Sequence, residues 1–245
     1  MDLISEFTDR RLHAETPDSG WGPVLRRLEI AHQYATEDRV LDLGAGTGWM
    51  AMHLDRWGRK VVAADYSDSA RAVFDHNMRA VGLDLRIQPG DITDLQFDDG
   101  EFGSVICYSV LEHIVDVRKG VDELARVIRP SGVAIVGVPN AWGAYSLLND
   151  RAPKQGFRKR PPGDVRCYHE QLHGPRWWQR LLESRFTVEE SINLEVLTPV
   201  MAKLWGYQRP AAWTRRDVWW APKLPRAVAS DAVYVCRKKR PARTS

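Results

Sequence analysis

The 245-residue chain is 44% apolar and 27% charged, carries a net charge of +3, and has three cysteines, Cys107, Cys167 and Cys236, none in a CxxC pair. This is an ordinary globular composition, long enough for one large α/β domain or a domain with an appendage, and it excludes a disulfide-framed scaffold. No run of eighteen apolar residues occurs and the N-terminal MDLISEFTDRRLHAE lacks a signal-peptide core, so no transmembrane span and a cytoplasmic location are expected.

Residues 1–37 are read as an N-terminal helical extension and 38–245 as the main domain. In the latter, apolar runs alternate with helical spacings. Arg39–Gly44 (RVLDLG) is a buried-strand pattern ending in glycine, and Thr47–Trp57 has helical spacing. Lys60–Tyr66 is a second strand, followed by a helix over Ser67–Val81 with Ser67 or Asp68 as cap. Leu85–Asp91 is a third strand, Asp98–Gly100 a turn, and Phe102–Val110 a fourth strand. A helix over Val117–Ile128 is expected to stop at Pro130 and Gly132, before the strand Gly132–Pro139. Residues 150–166 are basic and rich in Pro and Gly, which predicts a loop. Pro175–Arg185 reads as a helix, Phe186–Val196 and Ala232–Arg237 as strands, and the tail from Arg237 as frayed. Strands apolar on both faces and alternating with helices imply a parallel sheet covered on both sides, with ligands beyond the strands' C-terminal ends.

The sharpest motif is Asp42-Leu-Gly44-Ala45-Gly46-Thr-Gly48, placed after a strand and before a helix. Glycines there let the backbone approach a ligand and free its N–H groups. Dinucleotide enzymes use GxGxxG in the same setting, so the loop by itself leaves two cofactor classes open. The GxGxG spacing and the acid two residues before the first glycine separate them. Asp65 closes the second strand 21 residues beyond Gly44, where a ribose-binding acid belongs with either cofactor.

Taken together, VLDLGAGTGWMAMHLDRWGRKVVAADYS, then Gly90-Asp91, then FGSVICYSVLEHIVDVRKGVDELARVIRPSGVAIVGVPN resemble a class I S-adenosylmethionine-dependent methyltransferase. The likeness is to the small-molecule branch that includes the ubiquinone-biosynthesis O-methyltransferases, and it covers roughly residues 38–140. It implies a Rossmann-like α/β fold: a mostly parallel seven-stranded sheet, the last strand antiparallel, with helices on both faces. It also implies S-adenosylmethionine as cofactor and S-adenosylhomocysteine as product. By the same carry-over, Asp42 and the loop Gly44, Ala45, Gly46 and Gly48 take the methionine part. Asp65 takes the ribose hydroxyls, Tyr66 lies against adenine, Asp91 and the Ile92 backbone meet the adenine edge, and Tyr108 and Ser109 pass under the methionine end. A carboxylate acceptor suits vicinal hydroxyls, and an aromatic face suits a sulfonium.

Methyl transfer from a sulfonium asks the protein mainly to align the acceptor and exclude water; a base is needed only for a nucleophile that must lose a proton. His113, in Leu111-Glu112-His113 after the fourth strand, is the candidate base. The competing reading is a histidine that only bonds loop backbone. Cys167, His169 and His173 have no recognised metal spacing, so no metal is expected, and Tyr168, His169 and His173 are assigned instead to the substrate pocket.

Residues 1–150 hold 15 Lys and Arg against 24 Asp and Glu, a balance of −9; residues 151–245 hold 20 against 8, a balance of +12. The basic half either faces something anionic or docks on the acidic half. Of ten tryptophans, six (Trp177, Trp178, Trp205, Trp213, Trp219 and Trp220) crowd into this half, among Lys203, Arg209, Arg215, Arg216 and Lys223. A connection of this length between two strands implies function. A substrate lid over about 197–231, with the basic loop 150–170 and with Trp213 and Arg215 on the acceptor, ranks first. Packing or dimerisation, a membrane surface, and RNA stacking follow in that order.

The expected protein is therefore a methyltransferase acting on a small acceptor, anionic or aromatic, through an oxygen nucleophile of a phenol or hydroxyl. Methylation at nitrogen or carbon, on a small molecule, peptide or lipid at a membrane surface, is the alternative. A cofactor-binding regulator without transfer activity is the alternative of another class. No nucleic-acid partner is expected, peripheral membrane contact stays open, and the state is monomer or homodimer.

Overall fold

The computed structural model describes residues 21–141, 156–159, 169–195, 220–226 and 229–239. The order is α1 (Trp21–Tyr34), β1 (Arg39–Leu43), α2 (Trp49–Arg56), β2 (Lys60–Asp65), α3 (Asp68–Ala80), β3 (Ile87–Pro89) and β4 (Phe102–Tyr108). Then come a 3-10 turn (Leu111–His113), α4 (Val117–Val127), β5 (Ile128–Pro139), β6 (Gly156–Lys159), β7 (His169–Leu172), α5 (Pro175–Glu183), β8 (Phe186–Glu195), a second 3-10 turn (Ala221–Lys223) and β9 (Asp231–Lys238).

Seven strands form one sheet in the order β3-β2-β1-β4-β5-β9-β8. The pairs from β3 to β5 are parallel. β9 is inserted antiparallel to both neighbours. This is the Rossmann-like, mostly parallel architecture expected from the sequence, with the final strand reversed. Alternate residues of β9 go to opposite faces: Ala232, Tyr234 and Cys236 join the core beneath α4 and α5, whereas Val233 and Val235 join the core beneath α1. That two-sided burial is why the strands read as continuous apolar runs.

Local chemistry accounts for the helix starts. Ser67 Oγ accepts from Ala70 N at 3.3 Å and Asp116 Oδ1 from Lys119 N at 3.1 Å, satisfying first-turn donors of α3 and α4. Pro175 opens α5, where a missing N–H costs nothing. On α5, Trp178, Leu181 and Leu182 share the buried stripe. Between α4 and the β3–β4 connection, Arg126 binds Glu123, Asp99 and the carbonyls of Leu95 and Phe97. Leu95 N donates back to Glu123 Oε2 at 2.8 Å. The Arg126 guanidinium holds the Glu123 carboxyl below its ordinary range. This network ties down the loop that follows Asp91.

Several boundaries differ from expectation. β3 shrinks to three residues because only Ile87–Pro89 pair with β2. β4 stops at Tyr108, where Ser109 turns at φ +58°. α4 passes directly into β5 at Ile128, and Pro130 and Gly132 lie inside the strand's span instead of ahead of it. Register explains this: Phe102 faces Ile128 but Ser104 faces Val133, so residues 129–132 bulge out, with Ser131 at φ +67°. The segment read as a basic loop contains β6, which pairs antiparallel with β7. Neither strand carries an alternating apolar pattern; the pairing is local and lies outside the main sheet.

Candidate active site

β1 and β4 end side by side, and the loops beyond them form the site. Gly44 N and Ala45 N both donate to Ala64 O, at 2.7 and 3.1 Å, which hangs the glycine loop from β2. Gly44 sits at φ +75°, and a Cβ there would lie 2.2 Å from Val110 Cγ2. Glycine is required on two counts: backbone sign and the close approach of the β4 exit. Gly48 caps α2 at φ +86°, and a Cβ there would fall 2.6 Å from Met78 Cε.

Asp65 sits at the end of β2 with both oxygens engaged. Gly46 N donates to Oδ2 at 2.9 Å and Ser67 N to Oδ1 at 2.8 Å. The carboxylate thus fastens the tip of the glycine loop, and its other lone pairs remain for hydroxyl donors. Behind it, Arg71 donates to the carbonyls of Asp65 and Tyr66 at 2.8 and 3.0 Å. The Tyr66 side chain is 77% exposed.

Asp42 is buried on the α2 side of the sheet. Its Oδ2 has no hydrogen-bond partner among the described residues. Burial drives its pKa up to about 7; an N–H bond from Ala51 opposes that, and the charge of Asp65 adds to it. A buried carboxylate oxygen without a donor carries a desolvation cost that a cation or N–H group from a ligand would relieve.

Across the loop, Ser109 N donates to Gly137 O at 2.9 Å. Its left-handed backbone costs on the order of 1 kcal/mol. The Tyr108 ring lies on Gly137, and its hydroxyl donates to Arg27 O of α1 at 3.0 Å. The Arg27 guanidinium stands 5.4 Å from the ring centroid. Asp91 is exposed, and its Oδ1 accepts from Thr93 N and Thr93 Oγ1, both at 2.8 Å. Ile92 is buried in the core.

His113 ends the 3-10 turn after β4, with Nε2 3.9 Å from Oε1 of buried Glu112 and its side chain 29% exposed. Gln171 of β7 donates to the carbonyls of Ile114 and, at 3.1 Å, Val115. Gln171 Oε1 lies 3.2 Å from His173 Nε2. The His173 ring stacks on Trp177 at 3.5 Å with a 12° interplanar angle, and burial lowers its pKa. Its carbonyl accepts from Ala141 N beyond β5, at 3.1 Å. The structure therefore brings His113 and His173 to one edge of the sheet, joined through Gln171. His169 lies in β7, opposite Lys159. Tyr168, Trp213 and Arg215 lie outside the described residues, as does most of the 197–231 segment.

What is described of that segment is held by buried amides. Asn193 Nδ2 donates to the carbonyls of Ala221 and Leu224, at 3.1 and 2.9 Å. Asn140 Nδ2 donates to those of Arg226 and Ala229, at 3.0 and 2.7 Å. Sequence reasoning missed Gln171, Asn140, Asn193 and Arg27. Only Asn140 carried a signal, an amide at the end of an apolar run; the others bond to partners far along the chain. No described helix is long and apolar enough to cross a membrane.

Residues 41–136 match the family model described as a methyltransferase domain. The site fits the cofactor this family uses: glycine backbone where a Cβ has no room, a spare acceptor on Asp65, and an orphaned carboxylate oxygen on Asp42. Over these residues the chain is similar to the class I, S-adenosylmethionine-dependent methyltransferases. Among curated relatives, a demethylmenaquinone methyltransferase of Clavibacter sepedonicus is 41% identical over 101 residues, 40% of each chain. The chain spans about half the length of the curated relatives it matches. Among solved structures, an S-adenosylmethionine-dependent methyltransferase from Listeria monocytogenes, titled as putative, superposes with TM-score 0.64 at 14% identity, over 89% of this chain and 99% of that one. The [4+2]-cyclase SpnF superposes with TM-score 0.58 at 17% identity, over 88% and 81%. At these identities the superpositions bear on the fold alone.

Proposed function

We propose that the protein transfers a methyl group from S-adenosylmethionine to a phenol or hydroxyl of a small, quinone-like or otherwise aromatic acceptor. The observation that supports the cofactor in this reading is the glycine loop, pinned to Asp65 by the Gly46 N–H, beside the orphaned oxygen of Asp42; the oxygen acceptor rests on His113 at the exit of β4. When bound, the cofactor supplies a methyl group already activated on a sulfonium. The protein's share is orientation. Asp65 accepts from the ribose hydroxyls while keeping the loop closed, and Asp42 offers an acceptor at the amino-acid end. Asp91 and the Ile92 backbone meet the adenine edge. His113, at the exit of β4, takes the proton of an oxygen nucleophile. His173 and the β6–β7 hairpin wall the acceptor side, held to the His113 loop through Gln171. The lid reading of 197–231 is supported by the anchoring of Ala221, Leu224, Arg226 and Ala229 to Asn193 and Asn140.

Methylation at carbon is the second reading, favoured by relatives named for demethylmenaquinone. A cofactor-binding regulatory role without transfer is the third, because Asp42, Gly44, Asp65 and Asp91 bear on binding the cofactor and not on turnover.

Incubating purified protein with S-adenosylmethionine and a panel of phenols, hydroquinones and amines, with S-adenosylhomocysteine as readout, separates these readings. Turnover with a phenol that is slowed in His113→Ala, at unchanged cofactor affinity, is the expected result. Equal turnover in the variant removes His113 as base, and no product with any acceptor favours the non-transferring reading.

A further inference from the structure

We infer that His173 selects acceptors carrying a second hydroxyl: its Nδ1 accepts a hydrogen bond from that group, and Gln171 is the positioning residue that leaves this nitrogen free. This rests on the methyl-transfer reading above and names a substrate class for it, a diphenol. Both residues lie outside the stretch matched to the family model.

The hydrogen bonds of Gln171 fix the direction of its amide. Its nitrogen faces two carbonyls, those of Ile114 and Val115, which only a donor can meet. Its Oε1 therefore faces His173 Nε2, at 3.2 Å, and an amide oxygen only accepts. Nε2 must carry the ring hydrogen, which leaves the lone pair of a neutral imidazole on Nδ1. Burial lowers the pKa of the ring and so favours that neutral form. Nδ1 has no partner among the described residues, and the side chain is only partly buried, which keeps this atom within reach of a ligand.

The ring is also held in place. Trp177 covers one face at 3.5 Å and 12°, and Trp178 stands edge-on at 5.7 Å and 82°. Trp178 is itself buried and bonded to Pro139 O. The His173 carbonyl accepts from Ala141 N just beyond β5. β4, whose exit leads to His113, is the neighbouring strand, with Tyr108 opposite Gly137. One edge thus carries two histidines on adjacent strand exits, with different tasks. The nucleophilic hydroxyl gives its proton to His113, and a second hydroxyl on the same ring donates to His173 without losing its proton. An acceptor with a single hydroxyl meets only one of them.

The test is steady-state kinetics with phenol, catechol, resorcinol and hydroquinone, S-adenosylmethionine as donor and S-adenosylhomocysteine as readout. Wild-type protein should show a KM for at least one diphenol about 3- to 10-fold below that for phenol, the worth of one neutral hydrogen bond. His173→Phe, which keeps a ring against Trp177, should bring that ratio close to one. A KM raised equally for phenol and diphenol, with the ratio kept, would mean that His173 only packs; a wild-type ratio near one would mean that it reads no hydroxyl. Either overturns the inference, while turnover of phenol leaves the methyl-transfer reading standing. No product from any of these acceptors removes the phenol reading itself and the inference with it. The ring tautomer is read separately, by nitrogen–proton NMR of the assigned His173 ring. The Nε2–H form is expected in the wild type, and Gln171→Met should mix it with the Nδ1–H form; an Nδ1–H ring in the wild type overturns the assignment. Should His173→Phe fail to fold, Gln171→Met carries the kinetic test. A lowered ratio is expected there, and a ratio and spectrum unchanged from wild type overturn the role of Gln171 and the inference built on it.

Discussion

At Gly44 a methyl group in place of hydrogen would sit 2.2 Å from Val110 Cγ2, on a backbone held at φ +75°. Gly44→Ala should therefore lose about 1–3 kcal/mol of stability in urea unfolding and bind S-adenosylhomocysteine more weakly; wild-type values for both would show that the loop tolerates a side chain. Asp42 makes a prediction with a sign. Its folded pKa of about 7 stands above the unfolded value of about 3.9. The favourable contribution of its protonated form is complete below about pH 4 and is lost as pH rises through about 7. Asp42→Asn cannot ionise, so the ligand-free variant should show a flatter stability profile across that window. Near pH 8 it should exceed the wild type by an amount on the order of a few kcal/mol. Parallel unfolding profiles for the two proteins at pH 5 and pH 8 would contradict this. The residue keeps a costly charge where a cationic ligand group would relieve it.

At the scale of elements, α5 shows how an amphipathic stripe secures the sheet's reversed end. Trp178 is 1% exposed, and its indole N–H donates to Pro139 O at 3.1 Å, joining α5 to the exit of β5. Trp178→Ala should cost about 3–5 kcal/mol, read from the denaturation midpoint, and Trp178→Phe about 1–2 kcal/mol for the unpaired carbonyl. A Phe variant as unstable as the Ala variant would shift the weight from packing to the hydrogen bond. The strands and helices of the first half were legible because period and caps are local: RVLDLG, KVVAAD and Ser67 each carry their own signal. The β6–β7 pair was not legible, since GFRK and HEQL have neither apolar alternation nor a tight turn between them. The bulge at residues 129–132 was read as a helix stop, because a Pro and a Gly mark a break without saying on which side of the strand boundary it falls.

Across the whole molecule, the opposed charge balances of the two halves meet in part within the fold. Arg185 pairs with Asp122 at 2.6 Å, and Lys238 reaches the Ile128 carbonyl. Arg27 and Asp231 cross the same boundary with the charges reversed. Docking of the halves on each other thus accounts for some of the asymmetry. The sequence by itself determined the layered α/β class, the strand-loop-helix around Gly44–Gly48, and the acids at Asp42, Asp65 and Asp91, because each depends on a few neighbouring residues. Only the tertiary structure decided that β9 inserts between β5 and β8, that Gln171 links His173 to the loop after His113, and that Arg27 stands over the Tyr108 ring. Such pairings join groups tens to more than a hundred positions apart, and nothing in a local period encodes which distant partner completes a buried hydrogen bond or charge.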